Sequence, residues 1–155
     1  MKAADLRLHE VSDLRKLMNW RREVIGNVFG TIPDEDLLEA NREYYKRHLA
    51  DGSHVAFVAE YKGEECGCGS ICLTDELPSP DNPSGHCAYL MNIYVREQYR
   101  NHGIAHAIVA RLIEEARGRK CGKIYLESTQ EGRSVYSSLG FRDMPDMMKL
   151  YDRES

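Results

Sequence analysis

No apolar run in this 155-residue chain approaches the roughly 20 residues that a membrane-spanning helix needs. The N-terminus, Met1-Lys2-Ala3-Ala4-Asp5, turns charged at once and offers no apolar stretch for a secretory signal. Excess positive charge is missing as well. Lys and Arg number 21 against 25 Asp and Glu, a formal net charge of −4, whereas a duplex-DNA binder usually carries a basic footprint. Five cysteines are an odd number, which excludes a complete set of internal disulfides and makes reduced thiols in a cytoplasm the simpler expectation. Internal repeats, low-complexity tracts and linkers are absent. What is present is an ordinary globular balance, 42% hydrophobic and 30% charged residues. One domain over residues 1–155 is therefore expected, large enough to bury a core without a staple, with no nucleic-acid or membrane partner.

Along the chain, Asp5–Leu8 reads as an opening strand. Ser12 can cap a helix whose apolar positions Leu14, Leu17, Met18, Val24, Ile25 and Val28 recur at helical spacing. Pro33 suits the first position of a second helix, and Asp34, Glu35 and Asp36 suit its positive end. Val55–Tyr61, the turn Lys62-Gly63 and Cys66–Thr74 form a hairpin pattern. Gly67-Cys68-Gly69 within it predicts a bulge or close packing. Leu77–Gly85, with Pro78, Pro80 and Pro83, is a surface loop. Cys87–Val95 is a strand, and Ile104, Ile108, Val109, Leu112 and Ile113 mark an amphipathic helix. Lys123–Glu127 is a short strand and Arg133–Leu139 a helix ended by Gly140. Extended chain from Phe141 through Met147–Tyr151 closes the pattern. The order predicts an α+β fold, one mixed sheet flanked by helices.

The chemistry concentrates in Ile93-Tyr94-Val95-Arg96-Glu97-Gln98-Tyr99-Arg100-Asn101-His102-Gly103-Ile104-Ala105, where a buried strand passes through a polar turn into the best helix. Backbone amides at such a junction lack intrahelical partners and point outward at the positive end of the dipole, which makes an anion site suited to phosphate. Gly103 would let the chain approach an oxygen, and Arg100 adds a charged donor. Neither the Gly-x-x-x-x-Gly-Lys-Ser/Thr nor the Gly-x-Gly-x-x-Gly phosphate pattern occurs. From spacing alone, a strand-to-helix turn with an incidental glycine stands beside the phosphate reading.

Arg100-x-x-Gly103-x-Ala105 resembles the Arg/Gln-x-x-Gly-x-Gly/Ala motif of the GNAT superfamily of N-acetyltransferases. Gly132-Arg133-Ser134-Val135-Tyr136-Ser137-Ser138-Leu139-Gly140-Phe141 resembles a second signature, Gly-Arg-x-x-Tyr-x-x-Leu-Gly-Phe, and the element order agrees over nearly the whole chain. The resemblance implies a mostly antiparallel central sheet, helices on both faces, splayed where acetyl-CoA inserts like an extra strand. It implies that the strand segment Ile93, Tyr94 and Val95 holds the pantetheine through backbone groups. Amides of Arg100, Asn101, His102, Gly103, Ile104 and Ala105 would hold the pyrophosphate. The implied reaction is direct attack of a primary amine, of a small molecule or peptide, on the thioester. Tyr136 would be the general acid, since a tyrosine near pKa 10 is protonated at neutral pH. A non-catalytic acyl-CoA sensor is the alternative. The resemblance is also compatible with a homodimer.

Two positions depart from the pattern. Where some members place a glutamate base this chain has Tyr89, which leaves Glu127, His86, Glu97 or ordered water, with Glu127 first. Where many members place a cofactor-contacting asparagine this chain has Thr129, whose hydroxyl could make the contact. In the family the first two helices, here with Arg21, Arg22, Asp34, Glu35, Asp36, Tyr44 and Tyr45, shape the acceptor site together with the loop Leu77–Gly85. Solvated charges and packed tyrosines explain most of these equally well, though acidic groups there would suit a cationic amine. Cys66, Cys68 and Cys72 share strand parity, as a soft-metal site would, but lack Cys-x-x-Cys knuckles. His102 and His106 lack a third ligand, and no metal is expected.

Overall fold

In the computed structural model, which describes residues 5–152, two aspartates open the N-terminal helices. Met1-Lys2-Ala3-Ala4 lies outside the described residues. Asp13 accepts the Lys16 amide at 2.9 Å and starts α1 (Leu14–Val28), and Asp34 accepts the Leu37 amide at 2.8 Å and starts α2 (Glu35–Ala50). The sequence pointed one residue early for α1, to Ser12 as cap, and two residues early for α2, to Pro33 as the first helical residue. An ionised carboxylate bonding a free amide at the positive helix end outcompetes a neutral hydroxyl. Asp34 is thereby committed to capping, while Glu35 and Asp36 are exposed.

The strands β1 (Leu6–Val11), β2 (His54–Tyr61), β3 (Glu64–Asp75), β4 (His86–Val95) and β5 (Lys123–Leu126) form one sheet in that spatial order. The pairings are antiparallel except β4 with β5, which is parallel. Two more helices complete the chain, α3 (Ile104–Gly118) and α4 (Arg133–Ser138). Because side chains alternate along a strand, each sheet face collects its own apolar set. Phe57, Ala59, Ile71 and Leu90 pack with Ile104, Ile108 and Leu112 of α3. The opposite face covers Ala56 with Leu17, Leu38 and Tyr45, and Val58, Cys68 and Tyr94 with Trp20 and Val24. Helices therefore flank both faces of a mixed sheet, as the sequence pattern indicated.

Two bulges change which residues share a face. Ala59 pairs with Gly67 but Glu60 with Glu65, so Cys66 is an extra residue of β3. Cys66 consequently packs on the α3 side while Cys68 packs on the α1 side. Their shared parity in the sequence does not survive folding, and the three-cysteine cluster is not assembled. The second bulge is in β4: Cys68 pairs with Tyr94 but Ser70 with Met91, leaving Asn92 and Ile93 opposite Gly69. Asn92 takes a left-handed φ of 58° there.

Gly67 and Gly69 serve close packing at this bulge. A Cβ on Gly69 would stand 2.5 Å from Ile108 Cγ2, and one on Gly67 2.7 Å from the Tyr94 carbonyl oxygen. The final strand expected at Met147–Tyr151 does not form. Residues 142–152 run without ladder pairing, and Met148 and Leu150 are almost fully exposed. Pro145 lacks an N–H and the neighbouring Arg142, Asp143 and Asp146 are charged, so this stretch is a poor strand.

Gly69→Ala should lower the unfolding free energy by about 1–3 kcal/mol, since the added methyl overpacks the sheet–helix interface. Gly26→Ala, in α1 with nothing within 4 Å of the added Cβ, should raise it by about 0.4–1 kcal/mol. Thermal or urea unfolding of the two variants measures both signs.

Candidate active site

The parallel pairing of β4 with β5 covers only Cys87–Leu90 against Lys123–Leu126. Beyond Leu90 and Leu126 the strands part, and the outer edge of β4 is left without a strand neighbour among the described residues. The Arg96 amide donates to the Cys66 carbonyl at 2.9 Å, so by alternation the polar groups of Tyr94 face β3 while those of Val95 face the open edge. The Val95 carbonyl accordingly accepts from Arg100 Nε at 2.8 Å. Tyr94 stands differently from its sequence assignment: its backbone is directed into the sheet and its ring packs edge-on to Trp20. Arg96 fixes this end of β4. It grips Glu23 through two 2.9 Å bonds, donates to the Glu65 carbonyl at 3.0 Å and lies 4.6 Å over the Trp20 ring.

After a single 3₁₀ turn (Glu97–Tyr99) the chain reaches α3 through two left-handed residues, Asn101 (φ 66°) and Gly103 (φ 81°). Gly103 is favoured there by its left-handed φ alone, since a Cβ would meet nothing within 4 Å. It is also the cap of α3, and no side chain caps the helix. The first helical bond runs from the Ala107 amide to the Gly103 carbonyl. The amides of Ile104, Ala105 and His106 thus have no intrahelical acceptor and point outward. Arg100 contributes less than the sequence suggested: its amide donates to Glu97, and its guanidinium leans back on Val95 and the Tyr94 ring. Asn101 and His102 are exposed, and Ile104 is core with only its backbone turned to the site.

Beside the parted strands lies a cavity of about 920 Å³ whose lining includes Tyr89, Tyr125, Glu127, Ser128, Tyr136 and Phe141. Glu127 and Tyr136 thus line one cavity, with Tyr89 near Glu127. Tyr136 is half-buried against Phe141, and burial alone raises its phenol above the usual tyrosine value. Gly132 makes room for it, since a Cβ there would lie 2.9 Å from the ring. Thr129 Oγ1 accepts the Gly132 amide at 3.2 Å, which assigns this hydroxyl to shaping the start of α4 and leaves its proton to donate. Burial first, and then the Glu127 carboxylate, push the Tyr89 phenol upward.

Of the other candidate bases, His86 begins β4 and pairs with Asp75 at 2.8 Å. It stands seven residues before Ile93, roughly 23 Å along the strand. The loop Leu77–Gly85 is anchored at that same distant end, where buried Asn82 bonds the His86 carbonyl and Ser84 the Lys120 carbonyl. The loop thus stands away from the parted strands rather than shaping them. Glu97 lies in the turn before α3, exposed and outside the lining of the Tyr136 cavity.

The α1–α2 face of the sheet carries Arg21 and Tyr44, which the sequence placed in the acceptor region, together with Asn41, His54 and Asn92, which it did not single out. Arg21, half-buried, bonds Asn41 Oδ1 at 2.9 Å and Asn92 Oδ1 at 2.8 Å. Its signal was the helical period itself, for Leu17, Arg21 and Val24 fall on one face and put a charge among core positions. Tyr44 Oη lies 2.8 Å from His54 Nδ1 and 3.7 Å from Met91 Sδ. His54 is buried, and its Nε2 has no hydrogen-bond partner among the described residues. Burial first, then the charge of His48, lower its pKa from 6.5 to about 4.

Residues 14–141 match the model of a family described as Acetyltransferase (GNAT) family. A glucosamine 6-phosphate N-acetyltransferase of Trypanosoma brucei brucei is 26% identical over 146 residues, 94% of each chain. Glucosamine 6-phosphate N-acetyltransferase 1 of Oryza sativa subsp. japonica is 29% identical over 116 residues, 73% of this chain and 68% of that one. A solved structure described as a predicted acetyltransferase with acetyl-CoA, from Clostridium acetobutylicum, aligns with a TM-score of 0.81 and 27% identity. It covers 94% of this chain and 96% of that one.

Acid should loosen this face. Between pH 6.5 and about 4 the unfolded chain binds a proton at His54 that the fold refuses, so stability falls as pH falls through that window. At about 1.4 kcal/mol per pH unit the loss is on the order of 3 kcal/mol. Unfolding midpoints measured from pH 7 to pH 4 should therefore drop less steeply in His54→Gln than in the unaltered protein.

Proposed function

The chain belongs to the GNAT acetyltransferase family, and we propose that it moves an acetyl group from acetyl-CoA to a primary amine of a small molecule. The observation that carries this reading is the parting of β4 from β5 directly ahead of an uncapped helix start. The outward polar groups of Ile93 and Val95 are the ones a pantetheine could pair with, and the amides from Asn101 to His106 suit a pyrophosphate. Acetyl-CoA would supply an activated thioester. The acetyl-CoA in the Clostridium acetobutylicum structure and the small amines named for the curated relatives support the same reading.

Tyr136 is the residue proposed to give its proton to the departing sulfur as the carbon–nitrogen bond forms and the carbon–sulfur bond breaks. Its burial keeps the phenol protonated at neutral pH, the state a general acid needs. Glu127 is proposed to accept the proton that the ammonium form of the acceptor must lose, directly or through water. Tyr89, on β4, lines the same cavity, and this carboxylate acts on its phenol. Ile93, Val95 and the start of α3 bind and orient, with Thr129 shaping the approach to Tyr136.

Tyr136→Phe should lower kcat by about 10²–10⁴-fold with little change in acetyl-CoA affinity, read from CoA thiol release and from acetyl-CoA titration. An unchanged kcat would remove Tyr136 from the chemistry. Glu127→Gln should lower kcat/KM at neutral pH and leave acetyl-CoA affinity alone.

A further inference from the structure

Arg21 is held in an unusual way for a half-buried cation. Nε donates to Asn41 Oδ1 at 2.9 Å and Nη1 to Asn92 Oδ1 at 2.8 Å. Asn41 is itself fixed, because its Nδ2 donates to the Leu37 carbonyl at 2.8 Å and so turns its oxygen toward Arg21. Both partners are neutral amides. Among the described residues no carboxylate lies within ion-pair distance of Arg21, whereas Lys16 and Arg96 nearby each have a glutamate. The guanidinium is thus aimed by two oxygens while its charge and its remaining N–H donors stay uncancelled.

Its place in the fold gives that free charge a use. Asn92 is the bulge residue of β4, adjacent to Ile93 where the open edge begins. Tyr89, three residues earlier and roughly 10 Å along the strand, belongs to the cavity of Glu127 and Tyr136. Along β4 a fixed cation at Asn92 is thus followed by Tyr89, which lines the cavity of Glu127. That spacing fits a small molecule with an amine at one end and an anion at the other. Arginine's planar fork matches a carboxylate or a phosphate.

We propose that Arg21, aimed by Asn41 and Asn92, binds an anionic group of the acceptor and so makes this enzyme selective for amines that also carry a carboxylate or phosphate. The proposal rests on the acetyltransferase reading and specifies the acceptor end of that site. The test uses the full chain, acetyl-CoA and matched amine pairs, followed by thiol release. The pairs are phosphoethanolamine with ethanolamine, glucosamine 6-phosphate with glucosamine, and lysine with cadaverine. The expected result is a kcat/KM at least tenfold higher for the anionic member of one or more pairs. Preference within the first two pairs would identify phosphate, and within the third carboxylate.

Arg21→Met should bring that ratio to within about twofold of one by raising KM for the anionic member, leaving the neutral member and the KM for acetyl-CoA unchanged. Asn41→Ala, which keeps the guanidinium but loosens its aim, should lose part of the preference. A merely structural tie would instead slow both members equally. That outcome, or the absence of any anionic preference in the unaltered protein, overturns the proposal even if Arg21→Met folds poorly. Loss of acetyl-CoA stabilisation in thermal unfolding would instead strike the acetyltransferase reading itself, so the two failures are distinguishable.

Discussion

Asn92 and Ile93 occupy the space opposite a single residue, Gly69, and that mismatch in the β3–β4 ladder governs much of what surrounds it. A bulge bends its strand and increases local twist. In β4 it falls just past Leu90, the last residue paired with β5. The outer edge of β4 is thereby left with polar groups directed away from β3, and the chain then feeds directly into α3. Gly69 allows the bulge to sit close under Ile108, and Arg96, fastened to Glu23 and Glu65, holds the strand end in place.

From this one irregularity two kinds of surface arise on opposite sides of the same strand. One is a backbone surface: the outward-facing groups of Val95, whose carbonyl Arg100 Nε also reaches, and uncapped amides at the start of α3, suited to an elongated phosphorylated co-substrate. The other is a side-chain surface beneath α1 and α2, where Arg21 reaches the bulge and Tyr44 reaches His54. Tyr136 and Glu127 line the cavity beside the gap between the strands. An acyl transfer between two different molecules requires such an arrangement, with one binding surface for each and the proton donors at their meeting point.

The sequence carried the layers and the backbone surface well, because both depend on periodicity and on short contiguous motifs. Ile104, Ile108 and Leu112 repeat at helical spacing, and Gly103 stands where a left-handed cap is needed. It carried the side-chain surface poorly. Arg21, Asn41 and Asn92 are far apart in the chain and meet only through tertiary packing. The β3 bulge that separates Cys66 from Cys68 follows from pairing registers that no local pattern encodes. The direction of the Tyr94 backbone was hidden for the same reason, since which edge a strand residue faces depends on its hydrogen-bonding parity with a distant partner. At Met147–Tyr151 the apolar content suggested a strand, but a proline and flanking charges outweigh it.

The central claim is that the open edge of β4 and the start of α3 hold acetyl-CoA through backbone groups. Amide hydrogen exchange, residue by residue, with and without saturating acetyl-CoA, tests it most directly. The account predicts new protection concentrated at Ile93, Val95 and the amides from Asn101 to His106. Protection elsewhere, or none at millimolar acetyl-CoA, would contradict it.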